Sequence, residues 1–244
     1  MQDFLKREFR SLEGESTYDQ TLILFGLLEP FLKETIRTWL FIKDIDNTYD
    51  QAVRARNKVF DRNGLVPGNH FLASTGIGRP DDQFYPGELI HLDALIVPGL
   101  DQNNLIHMSH EDVMPNTSTY GVRFERGSIY NAQECSYYIV SGTASIDSSG
   151  NVKYLNDLEK QTYHAINNID SLLFKYDENI HNAKEIIGYV RNPNDAKVVE
   201  GICKRILPNT KWIIIEGKIC RPEWLVEFET TIKSDRGWKR WTKR

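Results

Sequence analysis

Residues 141–168, SGTASIDSSGNVKYLNDLEKQTYHAINN, and residues 212–232, WIIIEGKICRPEWLVEFETTI, decide the fold. The first runs from a strand through a Ser149-Gly150 turn and a second short strand into a helix. The second reads as two strands joined through Cys220-Arg221-Pro222. An apolar strand that closes on Arg-Pro, followed by one with alternating carboxylates, places charge at the mouth of a packed sheet. Chemistry is expected there.

Working outward, the helix spans 157–175, with Leu158, Thr162, Ala165, Ile169 and Leu172 on one face. A strand over 183–191 and a helix over 194–206 lead into the two final strands. Upstream, 123–130 and 134–146 read as strands, and 98–119 is an irregular linker or long loop with no clear period. Nearer the N-terminus, Leu22, Ile23, Leu27, Leu28, Phe31 and Leu32 recur at helical spacing, with Pro30 marking a kink or a second helix. A strand over 37–45 follows, then a helix over 47–62 stopped by Asn63-Gly64, then strands over 70–77 and 88–97.

The two ends of the chain repeat one another. Helix, strand, helix, strand, strand occurs over 17–97 and again over 157–232. Gln20-Thr21 opens the first copy as Gln161-Thr162 opens the second, and Asp93 falls where Glu229 does. An interval of about 140 residues is a domain duplication rather than a solenoid. The first copy lacks the strands that precede its helix, unless residues 1–16 supply part of them as an arm or short strand.

The 244 residues suffice for one large domain or two of about 120. A 40% hydrophobic and 26% charged composition is that of an ordinary globular protein. The net charge of −4 offers no basic field for nucleic acid. No apolar run reaches the ~18 residues of a membrane span. Three widely spaced cysteines, Cys135, Cys203 and Cys220, argue for a reducing compartment rather than a disulfide framework. With a charged N-terminus unlike a signal peptide, these features lead to an expected cytoplasmic location.

SGTASID, DLEKQT with INNI, and CRPEWLVEFE resemble the RidA (YjgF/UK114) family. Within it, the duplicated arrangement, together with TWLFIKDIDNTYDQAVRARNKVF and ASTGIGR, resembles the chorismatases, a two-domain branch that hydrolyses chorismate. The resemblance implies an α+β fold of two RidA-like (chorismate-mutase-like) domains. Each would be a mixed sheet with two helices packed on one face, the first domain shortened. The domains are expected over 1–100 and 120–233, with a linker over 101–119 and a basic tail over 234–244. RidA-like domains commonly form trimers, so a homotrimer or an internal pseudo-oligomer is expected. No cofactor and no metal are implied.

Residue by residue, the resemblance makes Glu227 the general acid/base and Arg221 the grip on a substrate carboxylate. Arg126 is similar to a family arginine on the same pocket. Cys220 falls where some chorismatases carry the cysteine associated with 3-hydroxybenzoate formation, and Thr143 and Ser145 would line the cleft. Chorismate is a small dianionic carboxylate ligand, which asks for at least two cations, preferably guanidinium groups. Its enol ether asks for a proton on carbon, which a carboxyl with a raised pKa can deliver.

Other readings of these residues stay open. Glu227 and Glu229 alternate with Val226 and Phe228 and could face water. Arg221 could pair with Glu223, and Arg126 with Glu125 or Glu134. Cys220 could be a small buried apolar residue. The same fold could also serve a 2-iminoacid deaminase or a non-catalytic binding or assembly protein. Asp44, Asp46 and Thr48 resemble the DxDxT signature of haloacid-dehalogenase phosphatases, yet strand-end turn chemistry accounts for them. His107, His110 and Glu111 lack the i, i+4 histidine spacing of a helical zinc site.

Overall fold

The structure, a computed structural model, describes residues 4–235. The basic tail therefore lies, from residue 236, outside the described residues. The first half contributes β1 (Leu5–Arg10), α1 (Thr17–Leu28), β2 (Thr35–Ile42), α2 (Ile45–Arg62), β3 (Ala73–Gly78) and β4 (Ile90–Ile96). The second contributes β5 (Leu105–Met108), β6 (Gly127–Asn131), β7 (Ser136–Ala144), α3 (Leu158–Phe174), β8 (Glu185–Val190), α4 (Ala196–Ile206), β9 (Lys211–Glu216), β10 (Lys218–Ile219) and β11 (Val226–Ser234).

Local chemistry sets the boundaries. Ser16 caps α1 by accepting the Asp19 N–H, and Asp157 caps α3 by accepting the Lys160 N–H. Pro30 sits in the first turn of the 3-10 segment Glu29–Glu34, so α1 stops before it rather than kinking.

Two mixed sheets result, ordered β1-β4-β2-β3-β10 and β5-β6-β7-β11-β8-β9. The duplication is visible in the pairing. β4 runs antiparallel to β1 and β2, and β2 parallel to β3; likewise β11 runs antiparallel to β7 and β8, and β8 parallel to β9. The repeated glutamines do the same work in both halves. Gln20 donates to Gly87 O and accepts from Leu89 N, both at 2.8 Å. Gln161 donates to Glu223 O and accepts from Leu225 N, both at 2.9 Å. Each buried amide thereby fixes the turn that delivers the last strand of its half, since an unpaired buried amide would be costly.

Three points refine the sequence reading. Residues 5–10 form a strand, so the first half does possess one before its helix. The first half is nonetheless shorter, lacking counterparts of β5 and β6, and its sheet is extended instead by β10 from the far end of the chain. The supposed loop over 98–119 contains β5, whose four residues are too few to reveal a period. Among the described residues, no helix is long and apolar enough to cross a membrane, and all three cysteines are free.

A polar seam joins the halves. Arg37 of β2, 1% exposed, donates to Glu229 Oε2 of β11 at 2.7 Å, to Thr75 Oγ1 at 2.8 Å and to the carbonyl of Val140. Trp39 Nε1 and Thr75 Oγ1 donate to the same carboxylate at 2.8 and 2.6 Å. Every oxygen of this buried charge is thus spent, which is the condition for tolerating it inside a protein. Glu229, one of the two alternating carboxylates, is a bolt between the halves.

Candidate active site

A cavity of about 310 Å³ opens beside this seam. From the first half, α2 supplies Tyr49 and Arg56, and β3 supplies Ser74, Thr75 and Gly76. From the second come Tyr120 and Arg126 ahead of β6, Gly142 and Ala144 of β7, and Glu227 of β11. The turn after β10 adds Cys220, Arg221 and Trp224. This turn is carried into position because β10 pairs with β3 of the other half.

Glu227 is buried, and no hydrogen bond reaches its carboxyl among the described residues. Burial, helped by the neighbouring charge of Glu229 and opposed by Arg126 and Arg37, pushes its pKa up to about 8. The carboxyl is therefore mostly protonated at neutral pH. Glu229, two residues on, is held by the three donors of the seam. Identical chemistry on one strand is split into an acid and a structural anion by environment alone.

The cations of the chamber hold unspent donors. Arg126, 5% exposed, gives Nη2 to Pro115 O at 3.0 Å and to Tyr120 Oη at 2.7 Å, and its buried Nε has no partner. Arg56, 3% exposed, leaves Nε and Nη2 buried and unpartnered. Burial lowers the pKa of both guanidinium groups. Arg221 donates to Gly150 O at 2.9 Å, and its guanidinium lies 5.1 Å from the Tyr120 ring and 4.8 Å from that of Trp224. None of the three forms an ion pair within 4 Å with an acid of the described residues; the other carboxylate of the lining, Asp50, is exposed and pairs with Arg54 at 3.0 Å. The pKa of the Cys220 thiol is pushed up to about 12, chiefly by burial, and the group stays a thiol.

Of the residues expected at the site, Glu227, Arg221, Arg126 and Cys220 converge on this chamber. Thr143 and Ser145 do not, and the cause is strand alternation: Gly142 and Ala144 face the chamber, so their neighbours face the opposite side. Thr143 donates to Ser141 O at 3.0 Å. Ser145 Oγ donates to Lys153 O and lies 3.0 Å from His164 Nδ1, while its carbonyl accepts Trp224 Nε1 at 3.0 Å. Asp44 and Asp46 also lie outside the chamber, and Asp46 pairs with Arg191 and Lys218.

Arg56 and Tyr49 were not singled out by sequence. The signal for Arg56 was present: it interrupts the apolar face Ala52, Val53, Val59, Phe60 of α2, and a cation there needs a reason.

No protein-family model matches the chain, and no curated protein matches it. Among solved structures, a chorismatase is similar over 95% of this chain and 75% of its own length, with a TM-score of 0.75 and 22% identity. A member of the YjgF protein family from Neisseria meningitidis is similar over 55% of this chain and 98% of its own, with a TM-score of 0.42 and 17% identity. A protein of the conserved Rid family from Yersinia pestis is similar over 52% and 98%, with a TM-score of 0.44 and 19% identity. The likeness to chorismatase shows the fold. This chain shares the α+β fold of that chorismatase.

Proposed function

We propose that the chain is a chorismatase-like hydrolase that cleaves the enolpyruvyl ether of chorismate and releases pyruvate. One observation carries the reading: a neutral, buried carboxyl, Glu227, shares a cavity with three guanidinium groups that have no acidic partner. A volume of about 310 Å³ suits a small ligand, at the lower end of the usual range for binding pockets. Its charge complement suits a dianion. Arg126 and Arg56 offer buried donors to one carboxylate, and Arg221, stacked at the rim, offers a second anchor.

In this reading Glu227 donates its proton to the terminal methylene carbon of the enol ether, leaving an oxocarbenium ion and a carboxylate. A water molecule adds to the cationic carbon while Glu227 takes back the proton it sheds. Transfer of a proton to the ring oxygen then collapses the hemiketal to pyruvate and the ring diol. Attack by the ring hydroxyl instead of water gives a cyclic ketal. Loss of a ring C–H proton then breaks one ring C–O bond as the ring aromatises, that oxygen takes up the proton, and the resulting hemiketal collapses to pyruvate and a hydroxybenzoate with no water consumed. Acid and base roles of this kind contribute typically ~10²–10⁴-fold each. Cys220, held as a thiol, shapes the wall and takes no covalent part.

A 2-iminoacid deaminase would also use an arginine to grip a carboxylate, but a monoanion does not call for three guanidinium groups. The test is release of pyruvate from chorismate by the intact chain, and its loss in Glu227→Gln. Ammonia release from a 2-iminoacid without pyruvate from chorismate would move the assignment to the deaminase, and inertness in both assays to a binding protein.

A further inference from the structure

We propose that His70, His107 and Glu125 form a binding site for one zinc-class divalent metal ion, clamping the two halves together on a face separate from the Glu227 chamber. His70 lies in the segment leading into β3 of the first half. His107 sits on β5, and Glu125 just ahead of β6, in the second. Their candidate donor atoms all fall within 4.8 Å of one another. A tetrahedral zinc site with bonds of about 2.1 Å places its ligand atoms roughly 3.4 Å apart. Closing that difference requires the exposed His70 ring to rotate out of its stack on His107 so that both ring nitrogens point at one ion.

Independent observations point to a ligand. His107 Nδ1 is buried and has no hydrogen-bond partner, a cost that a metal bond or its accompanying ring orientation would offset. The rings of His70 and His107 lie 4.0 Å apart at 14°, two imidazoles brought together with no linking hydrogen bond between them. Glu125 is pre-set: Oε1 accepts the Phe71 N–H at 2.9 Å, and its own N–H donates to Leu72 O at 2.9 Å. This is the outer support that holds a ligating carboxylate in place, and it leaves Oε2 for the metal. No Lys or Arg ion-pairs with Glu125 among the described residues. Two imidazoles and one carboxylate form a borderline donor set, suited to zinc and its neighbours rather than to magnesium or calcium.

A second acid–histidine cluster sharpens the contrast. Glu8, His91 and Asp93 are equally close together, but Lys6 lies 2.9 Å from Asp93 and Arg10 2.5 Å from Glu8. Those cations already neutralise the acids, and a metal would have to displace them. His70 and His107 instead line a cavity of about 350 Å³ that shares no lining residue with the Glu227 chamber, leaving room for a water on the fourth position. Because residues 70–72 run directly into β3, which walls the chamber with Ser74, Thr75 and Gly76, an ion here would steady that wall from behind.

The test uses the chelator-treated full chain, titrated with Zn²⁺ against a chromogenic competitor and, separately, with Co²⁺ followed by its visible absorption. The site predicts one ion per chain, an intense four-coordinate cobalt spectrum, and a zinc-dependent rise in melting temperature. His70→Ala, an exposed position at which folding is retained, and Glu125→Gln should each weaken zinc binding at least ten-fold and remove the thermal shift. Absence of stoichiometric binding by the wild-type chain, or unchanged affinity in both variants, would overturn the proposal. So would loss of binding in Asp93→Asn alone, which assigns the ion to the other cluster.

Discussion

The carboxyl of Glu227 rests against the backbone of Gly142. A methyl group added to Gly142 would stand 2.2 Å from Glu227 Oε1 and 2.9 Å from Thr75 Cγ2. The glycine is required by this close approach, while its N–H is anchored on Thr75 Oγ1 at 2.9 Å. Gly142→Ala should therefore displace the acid. Misplacing a reacting group by about 1 Å costs on the order of 10²-fold, so kcat/KM for pyruvate release should fall by that order. A circular dichroism spectrum unchanged from wild type would show that the loss is local.

The protonation state of Glu227 sets a pH profile. With the carboxyl titrating at about 8, kcat/KM should be flat below that value and fall tenfold per pH unit above it. Steady-state pyruvate release from about pH 6 to pH 10 checks this, and Glu227→Gln should leave a residual rate with no such limb.

The same shift makes stability depend on pH. The folded chain holds a proton at Glu227 up to about pH 8, whereas the unfolded chain releases it near 4.5, so stability falls as pH rises between those values. His91, depressed from 6.5 to about 4 mainly by burial, acts in the opposite direction below pH 6.5. The fall should thus be clearest from pH 6.5 to about 8, at up to about 1.4 kcal/mol per pH unit. Urea titrations should show this slope in the wild type and not in Glu227→Gln.

Removing the seam anion leaves a buried cation uncompensated. Glu229→Ala strands Arg37, Trp39 and Thr75 together. A loss of about 3–5 kcal/mol is expected by equilibrium unfolding. A cost below about 1 kcal/mol would mean that the seam is solvated in solution.

Arg56 contributes two buried donors to the chamber and accepts no partner of its own. Arg56→Ala should raise KM by roughly 10- to 150-fold, the equivalent of about 1.5–3 kcal/mol for hydrogen bonds to a charged group. Arg56→Lys should recover little, because an ammonium lacks the planar fork that meets a carboxylate.

Most of this architecture was legible in the sequence because the repeat was. The Gln-Thr pairs mark the two helix starts, and their amides perform matching tasks; Asp93 and Glu229 each stand four residues beyond the leucine that those amides hold. The CRPEWLVEFE run placed Cys220, Arg221 and Glu227 at one chamber, since the turn and strand are contiguous. What was hidden depended on facing and on distance in sequence. Thr143 on β7 and Ser145 just past its end carry the right chemistry, but a period of two turns them away, and nothing local reveals which set faces the chamber. Glu229 gained its role from Arg37, Trp39 and Thr75, all more than 150 residues away. His107 was read with His110 and Glu111, its neighbours in sequence, whereas the sheet brings it to His70 and Glu125.

The central claim is that Glu227 is a neutral acid at physiological pH. Infrared difference spectra between the wild-type chain and Glu227→Gln report it without reference to any substrate. A protonated carboxyl band present at pH 7, lost as the pH passes about 8 and absent from the variant, is the predicted result. A carboxylate band already fully developed at pH 6 would contradict the account.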